Sequence, residues 1–153
     1  MLINHRVRAL LLTPRRTLLL IKRVRAEIPP YYVAPGGGVD PSDASWEAAL
    51  HREMAEELGG QVEIVREVWT TEHPGDLDLE GWTVRHHYYI CRLLRYDLTQ
   101  RSGPEFSDPT RGQYIPEEFA LDGALLSQVV SRPPELAVFL AANTALLAAH
   151  LDH

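Results

Sequence analysis

Hydrophobic residues recur along the chain with two different periods, and the change between them predicts an α/β fold. Runs of apolar and β-branched residues bounded by Pro, Gly or Asp are typical of strands. Such runs occupy residues 7–13, 17–23, 31–34, 61–71, 82–94 and, more briefly, 113–115. A strongly apolar segment at residues 135–150 follows two prolines and predicts a C-terminal helix. Asn143 and Thr144 interrupt this helix, which is too short to span a bilayer.

A helical period is clearest at residues 43–58. Apolar residues there recur every four positions and predict a stripe buried against the sheet. They are Trp46, Leu50, Met54 and Leu58. Asp43 or Ser42 is placed to cap the first turn of this helix, and Gly59 and Gly60 follow its last turn. We therefore expect an amphipathic helix that ends at a left-handed glycine.

The polar face of the same helix carries Glu53, Glu56 and Glu57, at positions i, i+3 and i+4. Side chains at this spacing are neighbours, so the three carboxylates repel one another. A hard cation such as Mg²⁺ or Mn²⁺ would reverse that repulsion and could bridge the carboxylates to a diphosphate. Glutamates on helices more often form a solvated acidic face. Three glycines at residues 36–38, just before the helix, favour the metal site over that alternative.

Residues 36–60 resemble the Nudix box, the motif of the Nudix hydrolases. Its second half, Arg-Glu-Met-Ala-Glu-Glu-Leu-Gly at residues 52–59, matches the family pattern position by position. The resemblance implies an α/β/α sandwich with a mixed β-sheet. It also implies hydrolysis of a phosphorus-containing anhydride, in which water attacks one phosphorus of a nucleoside diphosphate linked to another moiety, with Mg²⁺ or Mn²⁺ as cofactor.

The first half of the box departs from the family pattern. Counting back from Arg52 places Ala44 at the first Glu of the motif and Gly38 at its opening Gly. The alternative alignment uses Gly37 and Asp43 and requires one extra residue before Arg52. We prefer the second alignment, in which Asp43 takes the structural place of the first Glu and fixes the glycine loop.

The resemblance and the helix spacing together assign roles inside the box. Glu56 and Glu57 are expected as metal ligands, with Glu53 as ligand or base and the backbone of Gly37 as a further metal contact. The expected catalytic residues are Arg52, Glu53 and Glu57. Arg52 is expected to orient the carboxylates through charge-assisted hydrogen bonds rather than to contact substrate.

Three residues are further candidates for the site. Glu105, in a polar loop, resembles the late acidic residue that many Nudix members bring to the metal or to the water, although loop glutamates are usually solvated. Arg23 ends the second strand in a basic cluster that could bind phosphate, and an ordinary charged strand end is the alternative. Gly38 could offer its backbone amide to the substrate, or serve only the turn.

His86 and His87 are adjacent on a predicted strand and therefore point to opposite faces. At most one of them can face a cleft. The sequence indicates no partner for either, so both are interpreted as core or surface histidines.

Composition is consistent with a small enzyme. The 153 residues are 45% apolar, which suits one domain, 1–153, with a sizeable core. A formal charge of −6 argues against nucleic-acid backbone binding and favours a small anionic substrate bound through cations. The first 17 residues lack a secretory pattern, so a cytoplasmic location is expected, without membrane attachment. The single cysteine, Cys91, is expected in a buried strand, and the apolar last helix could form a homodimer interface.

Two alternatives from other functional classes stay open. One is a catalytically silent Nudix-fold module that binds or regulates through a nucleotide. The only observation in its favour is the altered first half of the box. The other is a relative of isopentenyl-diphosphate isomerase, which has the same fold, but no cysteine is placed to support it.

Overall fold

One mixed β-sheet organises residues 2–151, the part of the chain that the computed structural model describes, and four α-helices accompany it. The strands are β1 (Ile3–Leu12), β2 (Thr17–Arg25), β3 (Ile28–Val33), β4 (Gly36–Gly38), β5 (Gln61–Pro74), β6 (Thr83–Arg95) and β7 (Gln113–Ala120). The helices are α1 (Trp46–Leu58), α2 (Gly123–Leu126), α3 (Pro134–Ala142) and α4 (Thr144–Ala148). Met1, Asp152 and His153, which the expected domain includes, lie outside the described residues.

The sheet has the strand order β3-β2-β1-β6-β5, with β4 paired to β1 and β7 paired to β2. β1 and β6 are parallel, and the other pairs are antiparallel. β1 pairs with β2 only near its end, at Leu11 and Leu12. Nearer its start, residues Arg6 to Arg8 of β1 pair with β4 instead. β1 and β2 therefore diverge, and the glycine strand occupies the place beside β1.

Apolar side chains cover both faces of the sheet. On one face, Leu50, Met54 and Leu58 of α1 are fully buried in a cluster with alternate residues of β1 and β6. On the other face, Leu136 and Leu140 of α3 pack in a second cluster with the remaining alternate residues of those strands. Full burial of one such side chain contributes about 1.5–3 kcal/mol. The two layers of helices confirm the expected α/β/α sandwich.

The predicted strands are all present, and several are longer than expected. β1 begins at Ile3, and β7 extends to Ala120. The glycines expected in a turn form β4, because Gly36 adopts φ 144° and a Cβ there would lie 2.0 Å from the Val7 carbonyl oxygen. Only glycine allows this approach of two backbones.

The C-terminal helix predicted at residues 135–150 is two helices, α3 and α4. They meet at Asn143, whose backbone departs from helical values at φ −124° and ψ 27°. Its side-chain Nδ2 donates to the Phe139 carbonyl at 2.8 Å, so a local side-chain bond accompanies the break. The sequence did not indicate α2. Within residues 2–151, none of the helices has both the length and the apolar character needed to cross a bilayer.

Helix α1 begins later than predicted, at Trp46. Its N-cap is Ser45, whose Oγ accepts a hydrogen bond from the Ala48 amide at 3.0 Å, so capping by Asp43 or Ser42 was wrong. The Asp43 carboxylate instead accepts hydrogen bonds from Arg52. The C-terminal prediction is confirmed, since Gly59 ends α1 in the left-handed region at φ 58°.

Trp46 does not belong to the buried stripe. It is 37% exposed, whereas Leu50, Met54 and Leu58 are 0% exposed. As the first residue of α1, Trp46 stacks on the His87 ring with centroids 4.0 Å apart instead of entering the core. Cys91 is buried in β6 as expected, and burial raises the pKa of its thiol to about 12.

Candidate active site

Arg52 joins the glycine strand to the acidic face of α1. Its Nε and Nη2 donate to the two carboxylate oxygens of Asp43, at 2.9 Å each. Nη2 also donates to the Gly38 carbonyl at 2.9 Å, and Nη1 donates to Glu53 at 3.1 Å and to Glu56 at 3.2 Å. One guanidinium therefore binds three carboxylates and a backbone carbonyl. These charge-assisted bonds hold the loop before α1 and the glutamates in one arrangement.

Three carboxylates converge beside this arginine. Glu53, Glu56 and Glu105 each place one ligand oxygen so that all three atoms lie within 4.8 Å of one another. The first two come from α1, and Glu105 comes from a 3₁₀ turn at Pro104–Phe106. Burial raises the pKa of Glu53, while the Arg52 charge acts in the opposite direction. An all-oxygen donor set of this kind fits a hard divalent cation such as Mg²⁺ or Mn²⁺.

Gly37 allows the glycine strand to approach these carboxylates. A Cβ on Gly37 would lie 2.7 Å from both carboxylate oxygens of Glu53, so a larger residue would displace that side chain. A Cβ on Gly38 would meet nothing within 4 Å. The carbonyl of Gly38 is engaged by Arg52. The two glycines therefore serve different purposes: close approach at Gly37 and a backbone acceptor at Gly38.

Glu57 is not part of the group of three carboxylates. It is 4% exposed, and its Oε2 accepts a hydrogen bond from the Gly36 amide at 2.9 Å. Burial raises the pKa of Glu57 to about 8, whereas the positive charge of Arg8 and the bond from Gly36 lower it. This hydrogen bond links α1 to β4 through Glu57, whereas Glu53 and Glu56 lie close to Glu105.

The position of Glu105 depends on Arg101, which the sequence did not single out. Arg101 Nε donates to the Glu57 carbonyl at 2.8 Å, and its Nη2 donates to the Tyr114 carbonyl at 2.7 Å. Its guanidinium also lies 4.7 Å from the centre of the Phe106 ring. These contacts tie the loop that carries Glu105 to the last turn of α1 and to β7. A basic residue in a polar loop offered no signal of this role.

A cleft of about 1050 Å³ opens beside this acidic group. Glu53, Glu57 and Glu105 line one part of it, together with the glycine strand β4. Five arginines also line the cleft: Arg6, Arg8, Arg23, Arg111 and Arg132. A cleft that holds both carboxylates and guanidinium groups has the chemistry to bind an anion directly and through a bridging cation.

Arg23 lies at this cleft, yet its donors are largely engaged by the protein. Nε donates to the Gln113 carbonyl at 3.3 Å, and Nη2 donates to the Arg111 carbonyl. The guanidinium also lies 3.7 Å from the centre of the Tyr114 ring. These contacts fix Arg23 against β7 at the edge of the cleft.

His86 and His87 face opposite sides of the sheet, as predicted, but each has partners that the sequence did not reveal. Arg8 Nε donates to His86 Nδ1 at 3.2 Å, so the proton of neutral His86 is on Nε2, which faces His73 Nε2 at 2.9 Å. Burial, followed by the charge of Arg8, lowers the pKa of His86 to about 2. His86 and His73 line the cleft.

On the α1 side of the sheet, His87 Nδ1 lies 2.8 Å from Glu67 Oε2, and its Nε2 lies 2.9 Å from His5 Nδ1. Trp46 stacks on the His87 ring. This cluster supports the first turn of α1 and does not reach the cleft.

Solved structures from several bacteria share this architecture. The solution structure of the E. coli ORF135 protein has a TM-score of 0.66 and 21% identity, covering 100% of this chain and 96% of that chain. A NUDIX hydrolase from Nitrosomonas europaea has a TM-score of 0.68 and 17% identity, covering 94% and 88%. A MutT NUDIX hydrolase from Burkholderia pseudomallei has a TM-score of 0.62 and 23% identity, covering 92% and 98%. At these identities the likeness establishes the fold.

No curated protein has a sequence similar enough to match this chain. The family model described as NUDIX domain matches residues 3–128. The match includes all seven strands, helix α1 with its glutamates, and the turn that carries Glu105. By this match over most of its length, the chain belongs to the Nudix family.

Proposed function

We propose that this protein is a metal-dependent pyrophosphohydrolase. It cleaves a nucleoside diphosphate linked to another moiety through attack of water on one phosphorus. The observation that carries the proposal is the convergence of Glu53, Glu56 and Glu105 within 4.8 Å, at a cleft that arginines also line. The cleft volume of about 1050 Å³ is at the upper end for small-molecule sites and suits a nucleotide derivative.

Glu53, Glu56 and Glu105 would hold Mg²⁺ or Mn²⁺, with Glu57 and the backbone of Gly37 as further candidate ligands. A cation bound there would neutralise the negative charge of the diphosphate and would lower the pKa of a bound water. The close approach of Gly37 to Glu53 supports this assignment, because it keeps backbone and carboxylate oxygens in one small space.

Within the chain, Arg52 acts as a positioning residue. Its bonds to Glu53 and Glu56 limit the rotation of both carboxylates, and its bonds to Asp43 and Gly38 fix the loop beside them. A positioned group loses less entropy when the reaction begins. We assign catalysis of proton transfer to the buried carboxylates rather than to Arg52.

Glu53 and Glu57 are the candidates for the group that accepts a proton from the attacking water. Both line the cleft, and burial raises the pKa of both. A raised pKa makes the ionised carboxylate a stronger proton acceptor, and a cation bound beside it would favour the ionised form. On the substrate side, we assign phosphate contacts to Arg23 and to the backbone of Gly38, which border the same cleft.

The decisive experiment incubates the protein with a panel of nucleoside triphosphates, dinucleoside polyphosphates, ADP-ribose and sugar nucleotides. Mg²⁺ and Mn²⁺ are tested separately, and products are identified by mass spectrometry. Metal-dependent release of a nucleoside monophosphate from at least one compound is expected. Binding of these compounds without turnover would overturn the proposal in favour of a catalytically silent module.

A further inference from the structure

The arginines of the cleft differ in how many of their hydrogen-bond donors the protein uses. Arg8 donates from Nε to His86 and from Nη1 to the carbonyls of Ala34 and Gly36, at 3.1 and 3.2 Å for the two carbonyls. Arg23 is held by two carbonyls and by the Tyr114 ring. The protein itself therefore already uses most of the hydrogen-bond donors of these two guanidinium groups.

Arg6 is different. Its one hydrogen bond within residues 2–151 runs from Nε to Asn4 Oδ1 at 3.3 Å, so neither Nη1 nor Nη2 has a hydrogen-bond acceptor there. Burial lowers the pKa of Arg6, and the charge of Arg8 acts in the same direction, while Glu53 and Asp76 oppose them. A partly buried cation whose donors lack acceptors is unfavourable for the folded protein. A ligand that supplied acceptors would remove this cost.

The fold brings Arg6 to the glutamates. Arg6 and Arg8 are two residues apart on β1 and therefore point to the same face of the sheet. Arg6 is the register partner of Gly38 on β4, and Gly38 is adjacent to Gly37, which lies against the Glu53 carboxylate. Both Arg6 and Glu53 line the cleft. A diphosphate placed between them meets guanidinium on one side and the acidic group on the other.

We propose that Arg6 binds a phosphoryl oxygen of the substrate's diphosphate with its free Nη1 and Nη2 donors. This inference rests on the proposed function and adds a specific anion contact from β1. The planar fork of a guanidinium suits two oxygens of one phosphoryl group, which a lysine ammonium does not match.

The inference also predicts an unusual relation between stability and binding. If Arg6 serves the ligand and not the fold, replacing it by Met should leave the melting temperature unchanged or higher in the absence of ligand. A structural arginine would show the opposite. The same variant should lose affinity for a diphosphate.

The test compares Arg6→Met, Arg6→Lys and Arg66→Met. Arg66 is exposed on β5 and does not line the cleft, so its variant matches the charge change of Arg6→Met. The probe is methylenediphosphonate, a non-hydrolysable diphosphate, titrated calorimetrically with Mg²⁺ present. Arg6→Met should weaken its binding by about 10-fold or more, the size expected for one charge-assisted contact. Arg6→Lys should be intermediate, and Arg66→Met should remain close to the unmodified protein.

Two further readouts separate a substrate contact from damage to the acidic group. Mn²⁺ affinity, measured by electron paramagnetic resonance, should not weaken in Arg6→Met. With a substrate found in the panel, KM should rise by about 10-fold or more while kcat changes much less, as expected for a contact made in the ground state and the transition state alike.

Equal diphosphonate affinity in Arg6→Met and the unmodified protein would overturn the inference. A clear fall in melting temperature with unchanged affinity would also overturn it and assign Arg6 to the fold. No diphosphonate binding by the unmodified protein would do the same. If the panel shows no hydrolysis but Arg6→Met alone loses diphosphonate binding, the proposed hydrolase function fails and the anion contact stands. If hydrolysis occurs and KM is unaffected, only the Arg6 contact fails.

Discussion

Arg52 and Asp43 form a bidentate ion pair, in which Nε donates to Oδ1 and Nη2 donates to Oδ2, both at 2.9 Å. The Arg52 bonds, followed by a bond from the Asp40 amide, hold the pKa of Asp43 below its usual range. The bond from Asp40 also closes the loop on itself, at 2.8 Å. Asp43 therefore fixes the loop before α1 through Arg52, and not by capping the helix. Ala44, at the other candidate position, is exposed.

This arrangement leads to a prediction about the irregular half of the box. Asp43→Ala should lower kcat/KM, because Arg52 loses two of the bonds that fix its guanidinium beside Glu53 and Glu56. Ala44→Glu should bring little gain, since that site faces solvent. Steady-state kinetics on both variants checks the two statements together. A large rise in turnover for Ala44→Glu would mean that a catalytic carboxylate belongs there, and would favour the other alignment.

The cap of α1 gives a second prediction. Ser45→Ala should destabilise the protein by about 1 kcal/mol, because the Ala48 amide loses its side-chain acceptor. Ser42→Ala is the matched control and should change stability little, since Ser42 is exposed and precedes the cap. Urea unfolding of both variants measures the difference. Equal stability of the two would argue against Ser45 as the cap.

Local patterns in the sequence predicted the elements well and their relative placement poorly. The spacing of Glu53, Glu56 and Glu57 put them on one helix face, and the structure agrees. The spacing could not distinguish Glu57 from Glu56. Glu57 accepts a hydrogen bond from Gly36 of β4, whereas the carboxylate of Glu56 lies beside that of Glu105. That distinction comes from how deeply α1 sits against the glycine strand, which no periodicity encodes.

The same limit applies to long-range partners. Arg101 brings the Glu105 loop to α1 through backbone carbonyls, which carry no side-chain signature. Trp46 follows the apolar period but is the first residue of α1, where it lies outside the buried core and stacks on His87 instead. The alternation of Arg6 and Arg8 on β1 is a pattern in the sequence that indicates a cationic face.

The acidic group itself can be tested by isosteric substitution. Glu53→Gln, Glu56→Gln and Glu105→Gln should each cut turnover by about 100-fold or more, because each removes a carboxylate expected to hold the cation. The fold should survive, since these changes reduce repulsion between carboxylates. Glu80→Gln, at an exposed residue that does not itself line the cleft, is the control. Rates near those of the unmodified protein at saturating Mg²⁺ would remove the affected residue from the site.

Metal binding should also increase the stability of the folded protein. Because a cation binds the folded arrangement of Glu53, Glu56 and Glu105 and not the unfolded chain, millimolar Mg²⁺ should raise the melting temperature. At 100 times its dissociation constant the cation adds about 2.7 kcal/mol. Excess EDTA should reverse the shift, and a Glu53→Gln, Glu105→Gln double variant should show little of it. Activity with Mg²⁺ but an unchanged melting curve would place the cation elsewhere.

The buried His86 gives a pH-dependent prediction. Its folded pKa of about 2 lies far below the usual value of 6.5, because burial and the Arg8 charge disfavour the imidazolium. As the pH falls below 6.5, the unfolded chain binds a proton at this residue that the folded protein does not. Its contribution to stability is therefore complete above pH 6.5 and is lost progressively on acidification, by at most about 1.4 kcal/mol per pH unit.

His86→Gln isolates this effect, because the amide oxygen can still accept from Arg8 but does not titrate. Urea unfolding between pH 7 and pH 5 should show a steeper loss of stability in the unmodified protein than in the variant. Taking the difference between the two proteins removes the contributions of Glu53 and Glu57, whose raised pKa values act in the opposite direction. Parallel stability curves would show that His86 is protonated in the folded state, and that its bond with Arg8 does not form as described.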